Sequence, residues 1–203
     1  MQGRDLRVKR TREFFIAAAA DIVRKDGISQ LSIRNVSARA GYNSATLYQY
    51  FKNLNHLAAS MNEVFERELI SFTERRIRRK KPENPLVRWA LTYEALALYL
   101  IANPHVFESL YVFCREKDGE PSDAGEKKND RLTEYIKANL SNISKSTGYA
   151  IGRLLEIHRV CLALTIGSLL LASGTNKTES ERTADMILHQ VLLTLSANLE
   201  EGR

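Results

Sequence analysis

The chain has 203 residues, 44% hydrophobic and 27% charged, an ordinary balance for a globular protein with a sizeable core and one or two domains. Its formal charge of +6 is unevenly placed: residues 1–60 hold 10 Lys/Arg against 4 Asp/Glu, whereas residues 61–203 hold 20 of each. That asymmetry points the amino-terminal end towards a polyanion, while two cysteines without metal-type spacing, Cys114 and Cys161, argue against a disulfide scaffold or a zinc site.

The first predicted helix runs from Lys9 to Asp26, with Phe15, Ala18, Ala19, Ile22 and Val23 inward and Gly27 closing it. Residues 31–57, LSIRNVSARAGYNSATLYQYFKNLNHL, then read as two short amphipathic helices around a tight turn. Ser32 caps a helix whose inward residues Ile33, Val36 and Ala40 are three and four apart. Gly41 stands where the chain must reverse and adopts positive φ without penalty. Asn43 caps the next helix, whose buried side carries Leu47 and Phe51, and Asn53 caps the one after. Ser44, Ala45, Thr46, Tyr48 and Gln49 are left facing outward. Small and polar side chains there permit close approach to base edges, and hydroxyls and amides bond phosphates or bases.

These residues resemble the TetR (tetracycline-repressor) family of bacterial transcription regulators. The resemblance begins with FFIAAAADIVRKDGISQLSI (Phe14 to Ile33), continues through NVSARAG (Asn35 to Gly41) and TLYQYFKN (Thr46 to Asn53), and ends at Leu57, so it covers the first 60 residues. The chain departs from the family where Tyr42-Asn43 replaces the usual Val-Ser and where Leu54-Asn55 replaces the frequent Lys-Glu. That Lys commonly reaches a phosphate; Leu54 cannot, which leaves Lys52 as the neighbouring cation. The resemblance implies that Arg34 reaches a base and that Thr46 and Tyr48 contact phosphate. Ser44, Ala45 and Gln49 are the base-edge candidates, and Asn43, Tyr50 and Lys52 complete the expected DNA-binding set. Arg4, Arg7, Lys9, Arg10 and Arg12 form either a basic arm or a segment disordered without DNA.

Helix four is predicted from Leu54 to Lys81, with Leu57, Met61, Val64, Phe65, Leu69 and Phe72 as its apolar stripe. Its basic end, Arg75 to Lys81, suits the negative pole of the helix dipole; a phosphate contact is the alternative. Pro82 and Pro85 then break the chain. The expected organisation is an amino-terminal reader over 1–60, its motif at about 32–51, and a carboxy-terminal part over 61–203, with helix four belonging to both. Helix five, Leu86 to Ala102, is almost wholly apolar, and Asn103-Pro104 starts helix six, which ends near Cys114. A turn-rich loop over 115–125 precedes helix seven, Glu126 to Ser144. Helix eight, Tyr149 to Ala172, reads as buried, its longest apolar run being too short to span a bilayer. Helix nine runs from Glu179 to Leu199 with Thr178 as its cap.

The expected fold is therefore all-α, with about nine helices: a three-helix DNA-binding domain, then a helical effector-binding and dimerisation domain. No enzyme motif or metal-ligand spacing occurs, no cofactor is implied, and MQGRDLRVKR lacks an apolar signal core, so the expectation is a cytoplasmic protein without a membrane partner. Trp89, Tyr93, Glu94, Phe107, Tyr111, Tyr135, His158 and Cys161 are the candidate ligand residues; aromatics at this spacing also serve as plain core. Two readings stand for Glu94: a contact to a cationic ligand, or an ion pair with Arg153 or Arg159. Ile166, Leu169 and Leu170 of helix eight and Ile187, Val191 and Leu195 of helix nine are the candidate homodimer interface, as a four-helix bundle. The family resemblance implies a regulator, most often a repressor, released from a palindromic double-stranded operator by a small molecule. An activator, an architectural DNA binder without effector, and a helical enzyme or protein-interaction module with a fortuitous motif remain alternatives. A cavity of about 300 Å3 or more would separate an effector-binding regulator from an architectural binder with a filled core.

Overall fold

A computed structural model describes the backbone of residues 2–112, 131–171 and 177–200. Among them lie nine α-helices and no strand: α1 (Gln2–Asp26), α2 (Ile33–Ala40), α3 (Ser44–Tyr48), α4 (Leu54–Lys80), α5 (Pro85–Ala102), α6 (Pro104–Phe107), α7 (Arg131–Thr147), α8 (Ile151–Leu171) and α9 (Lys177–Glu200). A 3-10 turn (Ile28–Gln30) follows α1, and α6 widens into a π-helical turn over Glu108–Val112. The proposed loop at 115–125, Phe113 and Cys114 lie outside the described residues.

The chain divides into two compact units: Met1–Arg67 with Asn103–Lys128, and Glu68–Ala102 with Asn129–Arg203. Sequence reasoning placed the boundary after residue 60, with helix four shared. The division falls inside α4, and the first unit also takes in α6 and its π turn.

In the first unit, α1 packs on α2, on the 3-10 turn and on α6. Its buried stripe is Phe15, Ala18, Ala19, Ile22 and Val23, as the spacing predicts. The helix starts at Gln2 rather than Lys9, so Arg7, Lys9 and Arg10 stand on exposed helical turns instead of an extended arm. Arg12 is not part of any free arm. Its guanidinium lies 5.1 Å from the Phe51 ring centroid and donates to Ser60 Oγ at 2.8 Å, so it ties α1 to the base of α4. The α6 end is anchored by a buried polar pair, Ser109 Oγ donating to Asn62 Oδ1 at 2.7 Å.

In the second unit, α5 is the central element, packed against α7, α8 and above all α9. Its burial on nearly every side explains its continuous apolar sequence. The stripe of α9 that meets the core is Ala184, Ile187, Val191 and Leu195; that of α8 is Leu154, Ile157, Cys161, Thr165 and Leu169. Helix α9 begins at Lys177, so Thr178 lies inside it and is not its cap.

Candidate functional site

Local chemistry builds the helix-turn-helix as the sequence dictates. Ser32 is extended, and its hydroxyl accepts from Asn35 N at 3.1 Å, which caps α2. Gly41 ends α2 at φ 76°, the left-handed region that glycine occupies without a Cβ penalty. Asn43 Oδ1 accepts from Thr46 N at 2.8 Å and caps α3. Asn53 Oδ1 accepts from His56 N at 2.9 Å and starts α4. Leu47 and Phe51 are fully buried. The Phe15 ring lies 5.2 Å from Tyr42, 5.9 Å from Tyr50 and 6.4 Å from Phe51, so an aromatic cluster on α1 fixes the pose of α3.

The predicted DNA-facing residues divide by exposure. Arg34, Asn43, Ala45, Tyr48, Gln49 and Lys52 are exposed, whereas Ser44, Thr46 and Tyr50 are half-buried. Tyr48 keeps 57% of its surface open, which is high for an aromatic side chain and has no packing explanation within the chain. Thr46 Oγ1 donates to Asn43 Oδ1 at 2.9 Å, and the Tyr50 ring leans on Phe15; both carry structural roles besides any DNA contact. Arg39 is held by Asp21 and by Asp26, the latter at 3.4 Å, which clamps α2 to α1. Lys25 donates to Asp21 and, with Arg39, holds that exposed carboxyl below its ordinary pKa.

The second unit holds a partly open cavity of about 30 Å3. That is room for one or two water molecules, far below the roughly 300 Å3 expected of an open effector site. Helix α4 contributes Leu69, Ile70 and Thr73, and α5 contributes Trp89 and Tyr93. Tyr135 and Asn139 of α7 and His158 of α8 complete the wall. Tyr93 Oη and His158 Nδ1 are 2.7 Å apart. Burial raises the phenol well above its ordinary pKa and, with help from nearby Arg159, lowers that of the imidazole. Both groups are therefore neutral, and the histidine tautomer sets which of them donates. Tyr135 Oη donates to Glu74 Oε1 of α4 at 2.6 Å.

Four candidate ligand residues are not in that wall. Glu94 is 1% exposed and fully committed. Arg76 approaches its two oxygens at 3.2 and 2.8 Å, and Lys80 at 3.0 and 3.2 Å. Burial pushes this carboxyl up, but the two cations outweigh it and hold its pKa below the ordinary value. The ion-pair reading of Glu94 therefore holds, with partners on α4 rather than Arg153 or Arg159, and a cationic ligand finds no free carboxylate there. Cys161 is buried on the core stripe of α8, where burial raises its thiol to about 11. Phe107 and Tyr111 belong to the first unit, their rings 5.9 Å apart.

The interface residues also need correction. Leu169, Ile187, Val191 and Leu195 are buried within the chain itself and have no surface to offer a partner. Ile166 is half-buried, and Leu170 is 52% exposed. The apolar surface lies on other faces of the same helices. On α8, Val160, Leu164, Gly167 and Leu171 recur at helical spacing, and on α9, Met186 and Leu193 do so. Among the described residues, and apart from the backbone of α8 itself and the adjoining residues, nothing lies within 4 Å of where a Gly167 Cβ would stand. Helix α8 was expected to be buried; it is instead apolar and long enough to cross a bilayer, with only 28% of its most apolar window buried.

Residues 15–61 match the family model of bacterial regulatory proteins, tetR family. No curated protein sequence matches the chain. Solved structures do. A tetR-family transcriptional regulator from Streptomyces coelicolor superposes with a TM-score of 0.66 at 14% identity, over 95% of this chain and 83% of that one. A transcriptional regulator from Rhodococcus sp. Rha1 gives 0.64 at 19% identity, over 90% and 96%. A TetR variant from Acinetobacter baumannii AYE, in complex with minocycline, gives 0.59 at 17% identity, over 90% and 93%. At these identities the structural likeness establishes the fold. The chain thus carries the amino-terminal domain of the tetR family of bacterial regulatory proteins within the fold of the TetR-family transcriptional regulators.

Proposed function

We propose that the chain is a homodimeric, DNA-binding transcriptional regulator that represses from a roughly palindromic operator and is released by a small, largely apolar molecule. The observation that carries this reading is the surface of α3 and its approach. Ala45 and Tyr48 stand exposed on a capped, aromatic-buttressed helix, and Gln49 and Lys52 stand exposed just after it, in the segment that holds the chain's whole positive excess. Residues 1–60 form the reader and the remainder the effector and dimer part. Dimerisation has a reason in the reading itself: a five-residue helix reaches few base pairs, and two-fold copies reach successive major grooves. The exposed stripes of α8 and α9 supply the surface for it. An effector is supported by the cavity wall, where His158, Asn139, Thr73 and two tyrosines occupy positions that simple packing would fill with aliphatic groups. Helix α4 runs from the reader to the cavity wall and is the relay in this scheme.

The test is selection of bound duplexes from a randomised pool by the full chain, followed by affinity against salt. A selected palindrome and a steep salt slope are expected. Recovery of unenriched sequence would refute a specific reader. The small cavity favours a second reading, a DNA-binding protein without an effector. Screening apolar compounds for release of the selected duplex separates the two, since a regulator is released and an architectural binder is not.

A further inference from the structure

We propose that the hydrogen bond from Tyr135 to Glu74 is the latch of a contracted ligand site, and that this site takes uncharged, apolar molecules of aromatic size. The proposal deepens the effector reading above and rests on it for its purpose. Tyr135 stands in the cavity wall on α7, and its hydroxyl reaches across to Glu74 on α4 at 2.6 Å. The other oxygen of Glu74 faces Arg88 of α5 at 3.5 Å. The Glu74 carboxylate thus joins α4 to α7 and to α5 at the edge of a space too small for any organic ligand. An occupant must push Tyr135 aside and break that bond, which frees Glu74 on the helix that also lines the cavity through Leu69, Ile70 and Thr73. Ligand entry and a changed hold on α4 are then one event.

The charge pattern sets the ligand class. Glu94 is saturated by Arg76 and Lys80, and Glu74 is balanced by Arg88. His158 is hydrogen-bonded to the Tyr93 phenol at 2.7 Å, and burial disfavours its charged form. Among the described residues no uncompensated charge lines the cavity, so an ion entering it would lose its hydration without gaining a partner. An uncharged ring system meets Trp89, Tyr93, Leu96 and Ile136 at no such cost.

Trp89 is the chain's only tryptophan and lies in the cavity wall, so it reports occupancy directly. The experiment titrates the full-length, DNA-free protein with neutral N-phenyl-1-naphthylamine and with the cation tetraphenylphosphonium, following Trp89 emission. The wild type is expected to bind the neutral probe with quenching and to bind the cation at least tenfold more weakly. Y135F keeps the ring and removes the latch, and should tighten the neutral probe by about tenfold. E74Q weakens the same bond from its other end and should tighten it several-fold, which guards against a folding defect peculiar to Y135F. Unchanged or weaker neutral-probe binding in both variants would overturn the latch. Preference for the cation, or no quenching in any form, would overturn the site. The effector reading fails separately: probe binding that leaves the selected duplex bound would sink release while the latch stands.

Discussion

Glu94→Gln is the most informative single change in the second unit. The carboxylate is 1% exposed and receives four charged donor contacts between 2.8 and 3.2 Å from Arg76 and Lys80. Breaking a buried pair by removing one partner costs about 3–5 kcal/mol, because a charge is stranded. Here the stranded groups are cations whose side chains keep 32% and 42% of their surface in water, so both recover much of their hydration. Discounting for that screening leaves roughly 1.5–3 kcal/mol. Urea unfolding followed by Trp89 emission, at fixed protein concentration, should show the midpoint fall by about 1 M with an unchanged slope. The pH dependence carries the second signature. Glu94 has a folded pKa below its unfolded value of about 4.3, so its stabilisation is present above that pH. It is lost as pH falls through the lowered folded pKa. Wild type should therefore shed this increment below about pH 4.3, and the glutamine variant should lack that part of the acid loss. A variant within 0.5 kcal/mol of wild type, with the same acid profile, would show that the triad stabilises nothing.

The motif and the surfaces yield further expectations. Asn43→Ala removes the α3 cap and should cost about 1 kcal/mol in unfolding experiments, while Gly41→Ala, at φ 76° with open space for its Cβ, should cost about 1–2 kcal/mol from backbone strain alone. Tyr48→Phe should weaken duplex binding by roughly 1 kcal/mol for all sequences, whereas Gln49→Ala should relax preference at one position; competition titrations with selected and scrambled duplexes distinguish these. Leu164→Glu, on the exposed stripe of α8, should give a folded monomer by analytical ultracentrifugation, whereas Val191→Glu, in the subunit core, should melt the subunit. The reverse pattern would return the interface to the buried stripe of α9.

The motif was legible because its signals are local. A side-chain cap, a left-handed glycine and a pair of buried residues four apart each act within one turn, and Ser32, Gly41, Asn43, Asn53, Leu47 and Phe51 all stand as the sequence predicts. Helix limits from α4 to α5 were legible for the same reason, since Pro82, Pro85 and Asn103-Pro104 punctuate them. The partners of Glu94 were not. They are 14 and 18 residues away on α4, in a basic run that equally suits a helix dipole, and only the packing of α4 on α5 chooses between those uses. Arg12 was misread likewise: composition placed it in a basic arm, and the ring of Phe51 and the hydroxyl of Ser60 draw it inward.

The interface shows where periodicity stops. Helix α9 carries two apolar stripes, and a sequence states that both exist without stating which one the subunit itself consumes. The stripe of Ile187, Val191 and Leu195 is buried in the subunit, where α9 packs on the largely apolar α5. What remains exposed, and carries the proposed dimer contact, is the weaker set: Met186 and Leu193 on α9, with Val160, Leu164 and Leu171 on α8. Its weakness is itself informative. A face that must stay soluble before assembly cannot be as apolar as a core, yet Leu171 is 91% exposed and Gly167 leaves an open notch on the same stripe. A small residue amid exposed leucines lets a second helix approach closely and bury those leucines at its flanks. Gly167→Leu should therefore weaken self-association by filling the notch, read by ultracentrifugation across a dilution series, while helix propensity raises the stability of the isolated subunit by about 0.5–1 kcal/mol. Undiminished association in that variant would place the partner on a face that does not include α8.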